Sequence, residues 1–443
     1  MIRLIQVRVR RSLLVFSVPL LACGLMLCVH SEVSAAGTLD WPAFRGTVGN
    51  GLAVEGNSPP VTWSETENIA WKTEIPHEGH SSPVIAEGKV WLTSATKEGN
   101  DFYVIAVDQD SGEIVCNEAL FHCDEPEPLG NAVNGYASPS VAAEQGRVYI
   151  HFGRYGTACL DAKTHDVIWT REDLECRHYR GPGSSPVLFE NLLILTFDGV
   201  DAQYVVALDK GSGDTVWRTD RTTEFTDYKA DGELIMEGDQ RKAFSTPLVV
   251  DANGRAVLVS PASSAGYGYD ARTGEEIWNL ALTGHTTSTS PVYGHGLVYF
   301  STGYGGTELL ALKVDGKGDV ADTHVAWRFS SPDAPNMPSP LLVDDLLYII
   351  SNKSVITCLD AKTGEVVWSG RVGGNFMASP VHADGKIYVT SSQGKTSVIK
   401  HGRTFQELAE NELDEGTLAT PAFAADAIFL RTETHLYRIQ APE

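Results

Sequence analysis

Beyond its N-terminal segment the 443-residue chain has no cluster of basic residues, and its formal charge is −23. Nucleic acid and anionic lipid both require positive protein surface, so neither is an expected partner. No long stretch repeats apolar residues at helical spacing, so the fold is not built on helices. Zinc-protease, phosphate-loop and Gly-x-Ser-x-Gly hydrolase motifs are missing, and no C-x-x-C-H haem site occurs. The histidines are scattered, so no metal site can be read from spacing. What is present is apolar content of 42%, ample for a core, with 42 Gly and 21 Pro for turns.

The first residues read as an export signal. Arg3, Arg8, Arg10 and Arg11 precede an uncharged run from Ser12 to Val29, and "VSAAG" at 33–37 offers cleavage after Ala35 or Ala36. The run is long enough to leave an uncleaved membrane anchor open. "LLAC" at 20–23 loosely resembles a lipoprotein box, and "RRSLL" at 10–14 a twin-arginine signal. The expected division is a signal peptide at 1–35, an arm at 36–60 and one domain at 61–443. The expected location is the periplasm or cell envelope, with membrane association only through the N-terminus.

A single phrase organises the rest. "LDAKTHDVIW", "LDKGSGDTVW", "YDARTGEEIW" and "LDAKTGEVVW" end at Trp169, Trp217, Trp278 and Trp368. A small residue and Pro open each unit, at Pro83, Pro139, Pro186, Pro247, Pro291, Pro340, Pro380 and Pro421. A β-rich run such as "GKVWLTS" or "GKIYVTS" follows each Pro, then the Asp phrase, then the Trp strand. Four short strands at a period of 40–61 residues indicate a propeller blade. In the phrase, Asp can accept turn N–H groups, Gly can supply a positive φ, and Trp can wedge against the neighbouring blade.

Eight units start at these prolines. Their wedge positions are Cys116, Trp169, Trp217, Trp278, Trp327, Trp368 and Phe405, and the last unit runs out at Glu443 without one. An orphan wedge, Trp71 in "ENIAWKTEIP", precedes the first unit. The strand at 67–75 is therefore expected to complete the last blade. The expected fold is all-β: an eight-bladed propeller closed by an N-terminal strand.

The Asp-x-x-Thr-Gly-x-x-x-Trp phrase resembles the tryptophan-docking motif of quinoprotein propellers, over about residues 67–443. "WPAFRGTVGNG" at 41–51 and "WSETENIAWK" at 63–72 further resemble exported PQQ-binding-like repeat proteins of planctomycete-type bacteria. The repeat is also similar to that of the BamB scaffold of outer-membrane assembly. The resemblance implies fold strongly and reaction weakly. Quinoprotein dehydrogenases hold PQQ between a Trp floor and a disulfide of adjacent cysteines, beside calcium. This chain has no adjacent Cys pair and no match to the calcium ligands, so neither PQQ nor calcium is expected.

Repeat register makes Cys159 and Cys358 small core residues. Cys123 and Cys176 each lie seven residues beyond their wedge. An exported protein permits a Cys123–Cys176 bond, with Cys159–Cys176 as the rival pairing.

The links 116–139, 169–186 and 217–247 are long and should gather at one mouth of the propeller, where such folds carry function. Candidate ligand-binding residues there are His77, His80, Tyr136, Arg154, Arg180, Arg241, His285 and Asn336. Asn134, Tyr155, Lys242 and Tyr304 lie close in sequence or on links to the same face. His77, Arg180, Arg241 and His285 each precede their Pro by six residues and are expected to form a partial ring that suits an anionic or polyhydroxyl ligand. The expected function is a non-catalytic binding or scaffold protein with a protein or saccharide partner. A quinone-dependent alcohol or sugar dehydrogenase is the alternative, and a lyase or hydrolase using the His, Tyr and Arg group is a third.

Overall fold

The computed structural model describes residues 40–130 and 133–442, so the expected export signal lies outside the described residues. Among the described residues no helix is long and apolar enough to cross a membrane.

Eight four-stranded antiparallel sheets follow one another along the chain, and one carries an extra two-residue strand, Gly318–Asp319. Their innermost strands are Val84–Ala86, Ala142–Glu144, Val187–Phe189, Leu248–Ala252, Val292–Gly294, Leu341–Val343, Val381–Ala383 and Ala422–Ala424. We number the blades 1 to 8 in that order. The protein is an eight-bladed β-propeller. Blade 8 takes its outermost strand from the N-terminal side: Ile69–Glu74 pairs antiparallel with His435–Ile439. The polypeptide thus zips its beginning onto its end, as the orphan Trp71 predicts.

The repeated phrase makes one inter-blade joint. Asp161, Asp209 and Asp360 each accept two turn N–H groups at 2.8–3.2 Å. The Trp at the end of the phrase docks on the next blade's turn. Trp71, Trp169, Trp278, Trp327 and Trp368 donate their indole N–H to Gln109, Lys210, Val314, Ala361 and Gly402 carbonyls at 2.9–3.2 Å. The Gly in the phrase serves two ends. Gly213 has φ +77°, and a Cβ there would sit 2.8 Å from the Trp169 ring. No other residue meets both demands at once.

Trp217 keeps its place over Gly274 but its indole N–H has no partner, and two further joints depart from the phrase altogether. At blade 1 the wedge position holds Cys116, and bulk moves two strands inward along the same register, Cys116–Ala106–Trp91. Trp91 is fully buried and meets His165 of blade 2 edge-on at 5.6 Å, while Lys89 Nζ takes the turn carbonyl of Ala162 at 3.0 Å. At blade 7 the wedge position is Ala409, opposite Val398, and not Phe405. Phe405 belongs to the turn that receives Trp368, 5.3 Å from its ring. Trp63 of the N-terminal segment fills the blade 7–8 joint and stacks on Tyr388.

The unit start in blade 2 also shifts. Ala142 pairs with Tyr149 as Val84 pairs with Trp91, which makes Ser140 and not Ser138 the partner of Ser82. Pro139 imitates the motif two residues early.

That register exposes the purpose of the Ser/Thr. Ser82, Ser140 and Ser185 donate their N–H to the hydroxyls of Ser140, Ser185 and Thr246 at 2.9–3.0 Å. Ser290, Ser339, Ser379 and Thr420 do the same toward Ser339, Ser379, Thr420 and Ser82. Seven of eight links close a ring about the axis. The gap lies between blades 4 and 5, where Ser245 Oγ instead donates to the Thr289 carbonyl at 2.7 Å and Ser290 Oγ has no partner.

The arm crosses the channel on the far side of this ring. Trp41 exchanges backbone bonds with Ile85 of blade 1, and Pro42 accepts from Ala143 of blade 2. Arg45 Nη2 donates to the Pro340 carbonyl of blade 6 at 2.7 Å, and Gly51 and Ala53 pair with His382 of blade 7.

The Cys123–Cys176 bond is not made; all five described cysteines are free thiols, including Cys159. Cys176 is sealed in the core between blades 2 and 3, and its Sγ faces the Ala202 carbonyl at 3.7 Å. Cys123 is held elsewhere, packed with the core between blades 1 and 2 and donating its backbone N–H to Asn100. Equivalent sequence offsets place the two thiols in equivalent joints one blade apart, Cys123 between blades 1 and 2 and Cys176 between blades 2 and 3.

Candidate functional site

An axial funnel of about 660 Å3 opens among the links that precede the inner strands. Its lower wall is the hydroxyl ring, and Phe44 of the arm forms its floor. The next layer up comes from residues two positions before each ring residue: His80, Ser138, Gly183, Phe244, Ser288, Met337, Met377 and Leu418. The funnel is therefore two-sided. Blades 6 to 8 supply Met337, Met377 and Leu418, an apolar wall. Blades 1 to 5 supply His80, Asn134, Arg180, Asp239, Lys242, His285 and Tyr304, a largely polar wall interrupted by Val133 and Phe244.

The charged groups of the polar wall are locked together. Asp239 receives Arg180 Nε at 2.8 Å and Nη2 at 3.1 Å, and also Lys242 Nζ. These partners hold its carboxyl below the usual range against the opposing effect of burial. Two cations share one acid, which leaves the wall positive inside an acidic protein. Burial pushes the Lys242 ammonium down. Burial, and then Arg431, push the His80 imidazole down to about 4. Burial and Lys242 lower His285 as well. Both imidazoles are neutral at pH 7 and act as dipoles, not charges.

The residues singled out from sequence fall in five places. His80, Arg180 and His285 line the funnel. His77 and Tyr136 line a side chamber, where His77 stacks on Tyr103 at 3.8 Å. Arg241 is in neither chamber: it pairs with Asp227 at 2.7 Å and lies over Phe225 and Tyr228, bracing the long blade 3–4 link. The expected four-membered ring is therefore reduced to Arg180 and His285 in the funnel. Arg154 faces Glu175 at 3.8 Å outside it, and Asn336 lines a separate cavity between blades 5 and 6. Sequence reasoning missed the apolar wall. The signal for it was the position two before each ring Ser/Thr, but a search for polar residues passes over Met and Leu.

The wall does not fit a sandwiched quinone. It contains no Trp and no Cys, and Asp239, its one acid, has its oxygens occupied by Arg180 and Lys242. Among the described residues no group of three or more His, Cys, Asp or Glu side chains converges as a metal site.

Tryptophan-docked blades, a clasping N-terminal strand and an axial funnel define a PQQ-like repeat propeller. The chain belongs to the family described as outer membrane protein assembly factor BamB, whose profile matches residues 31–175 and 316–404, a little over half of its length. The structure is similar to that of BamB from Moraxella catarrhalis, with a TM-score of 0.55 at 13% identity over 84% of this chain and 99% of that one. It is similar to the computationally designed Ika8 protein, with a TM-score of 0.58 at 10% identity over 84% and 99%. The quinohemoprotein alcohol dehydrogenase of Comamonas testosteroni superposes with a TM-score of 0.45 at 14% identity, over 93% of this chain and 82% of that one. No curated protein matches the sequence.

Proposed function

We propose that the protein is an exported, non-catalytic binding or scaffold propeller of the periplasm or cell envelope, holding a protein or saccharide partner at the funnel mouth. The observation that carries this reading is the state of the funnel wall. Its acid is saturated by Arg180 and Lys242, burial pushes the His80 imidazole down to about 4, and burial and Lys242 lower that of His285. General acid–base chemistry needs a group poised near the working pH, and covalent catalysis needs a nucleophile beside a base. The ring hydroxyls are engaged with backbone, apart from Ser290, which has no base beside it in hydrogen-bond reach. A preformed concavity with one apolar and one polar wall is suited to recognition. Membership of a family described as an outer membrane assembly factor supports a protein partner, and the hydroxyl-lined wall supports a saccharide.

Two measurements test it. Envelope extracts and a glycan array are probed with the wild type and with Met377→Trp, which fills the apolar wall. Partners retained by the wild type and lost by the variant support the funnel; equal retention by both removes it. Purified protein is then mixed with PQQ and calcium. No quinone absorbance is expected, and dye-linked oxidation of an alcohol or sugar would replace this reading with the dehydrogenase one.

A further inference from the structure

Arg431 ends the second strand of blade 8 and is 2% exposed. Cross-strand register aligns it with Thr93, Thr196, Ser301 and Thr390 in other blades. The one imidazole at this position, His151, is pushed down to about 3 by burial and is neutral. Blade geometry therefore does not call for a cation here, yet blade 8 carries one.

Its guanidinium crosses the ring seam into blade 1. Nη1 donates to Ser81 Oγ at 2.8 Å and to the Thr93 carbonyl at 2.7 Å, and Nη2 donates to Ser94 Oγ at 2.8 Å. Every one of these acceptors is neutral, and no carboxylate among the described residues pairs with Arg431. Burying an ion without a counter-charge costs several kcal/mol, and burial pulls this group down to about 9. The guanidinium is also clamped: a Cβ on Gly79 would sit 2.7 Å from Nη2.

Arg431 lines the side chamber of about 680 Å3, which shares His80, Asn134 and Leu418 with the axial funnel. The acids of that chamber, Glu78 and Glu433, are exposed, so solvent screens them from the buried charge. Three of the five guanidinium N–H donors are engaged in these bonds; the two that remain, on Nε and Nη2, lie along one edge and form a fork that matches the oxygens of a carboxylate, sulfate or phosphate.

We propose that the side chamber is an anion subsite in which Arg431 receives an oxyanion group reaching it from the funnel side. The subsite stands or falls separately from the funnel's larger partner. Its chemistry is shared by free inorganic anions and by acidic sugars.

The test is calorimetric titration of the full chain with sodium sulfate, sodium phosphate and sodium glucuronate, each balanced with chloride to constant ionic strength. Saturable one-to-one uptake is expected. Glucuronate binding more tightly than the inorganic anions assigns the site to an acidic sugar, and equal affinity assigns it to the anion alone. Arg431→Lys keeps the charge but loses the fork, and is expected to weaken uptake about tenfold. Ser94→Asp places an internal carboxylate beside Nη2, and is expected to abolish uptake while the melting temperature holds or rises. No saturable heat with any of the three anions at tens of millimolar overturns the proposal. So does undiminished binding by either variant.

Discussion

Seven hydroxyls of the axial ring each hold the N–H of the preceding blade, whereas Ser290 Oγ holds none. Identical residue types in the same repeat position therefore have different energetic roles. Removing the Ser339 hydroxyl strands the buried Ser290 N–H, which costs roughly 1–3 kcal/mol. Removing the Ser290 hydroxyl strands nothing. Ser339→Ala is expected to lower the urea midpoint clearly and Ser290→Ala to leave it within error; equal losses would show that the hydroxyls act by packing alone. The Ser/Thr-Pro motif was plain in the sequence, but its partner lies forty or more residues away in the next blade, so no local pattern reveals the bond. The same distance hid the slip in blade 2, where Pro139 copies the motif and Ser140 performs its task. Phe405 misled for a related reason: an aromatic near the right place reads as a wedge until strand register puts Ala409 there.

Among elements, the strand Ile69–Glu74 bears the closure of the ring. Trp71 docks on blade 1 as Trp169 docks on blade 3, with Gly112 and Gly213 beneath the two rings. The seam is therefore built like the joint between blades 2 and 3. Trp71→Ala and Trp169→Ala are each expected to cost roughly 3–5 kcal/mol, measured by urea unfolding. Deleting residues 61–76 removes the strand together with Trp63 and should cost more than either substitution. A deletion that unfolds at the wild-type midpoint would mean that the clasp does not close the ring. Architecture was legible because each blade repeats a strand pattern that cannot bury both faces alone. The arm was less legible. Trp41, Phe44 and Arg45 occur once each, outside any repeat, and only the folded ring shows that they cross the channel and floor the funnel. The cysteine pairing failed for the opposite reason: Cys123 and Cys176 do hold equivalent repeat positions, and equivalent positions lie one blade apart in separate cores.

At the scale of the molecule, −23 formal charges coexist with an interior that excludes protons from several imidazoles. His151 and His178 flank the Phe197 ring at 5.3 and 6.2 Å, and burial pushes them down to about 3 and about 4. His80 and His382 are also pushed down to about 4, chiefly by burial. In the unfolded chain each would titrate near 6.5. Between those values the unfolded state binds protons that the folded state refuses, so stability rises with pH there and falls as pH drops from about 6.5. Glu415 adds a lower window: hydrogen bonds from Thr432, Thr434 and His435 overcome burial and hold it at about 2, so its contribution is lost only below the ordinary carboxylate range. Acid destabilisation is thus expected to begin near pH 6 rather than near pH 4. Each fully buried imidazole contributes up to about 2 kcal/mol between pH 6.5 and 5. His151→Asn keeps a polar side chain beside Thr157 without a titrating proton, so it should flatten the curve in that interval while lowering stability at pH 8. Urea midpoints from pH 5 to pH 8 check this directly. A wild-type curve that stays level down to pH 5, or a His151→Asn curve as steep as the wild type, would show that these imidazoles are protonated in the folded protein.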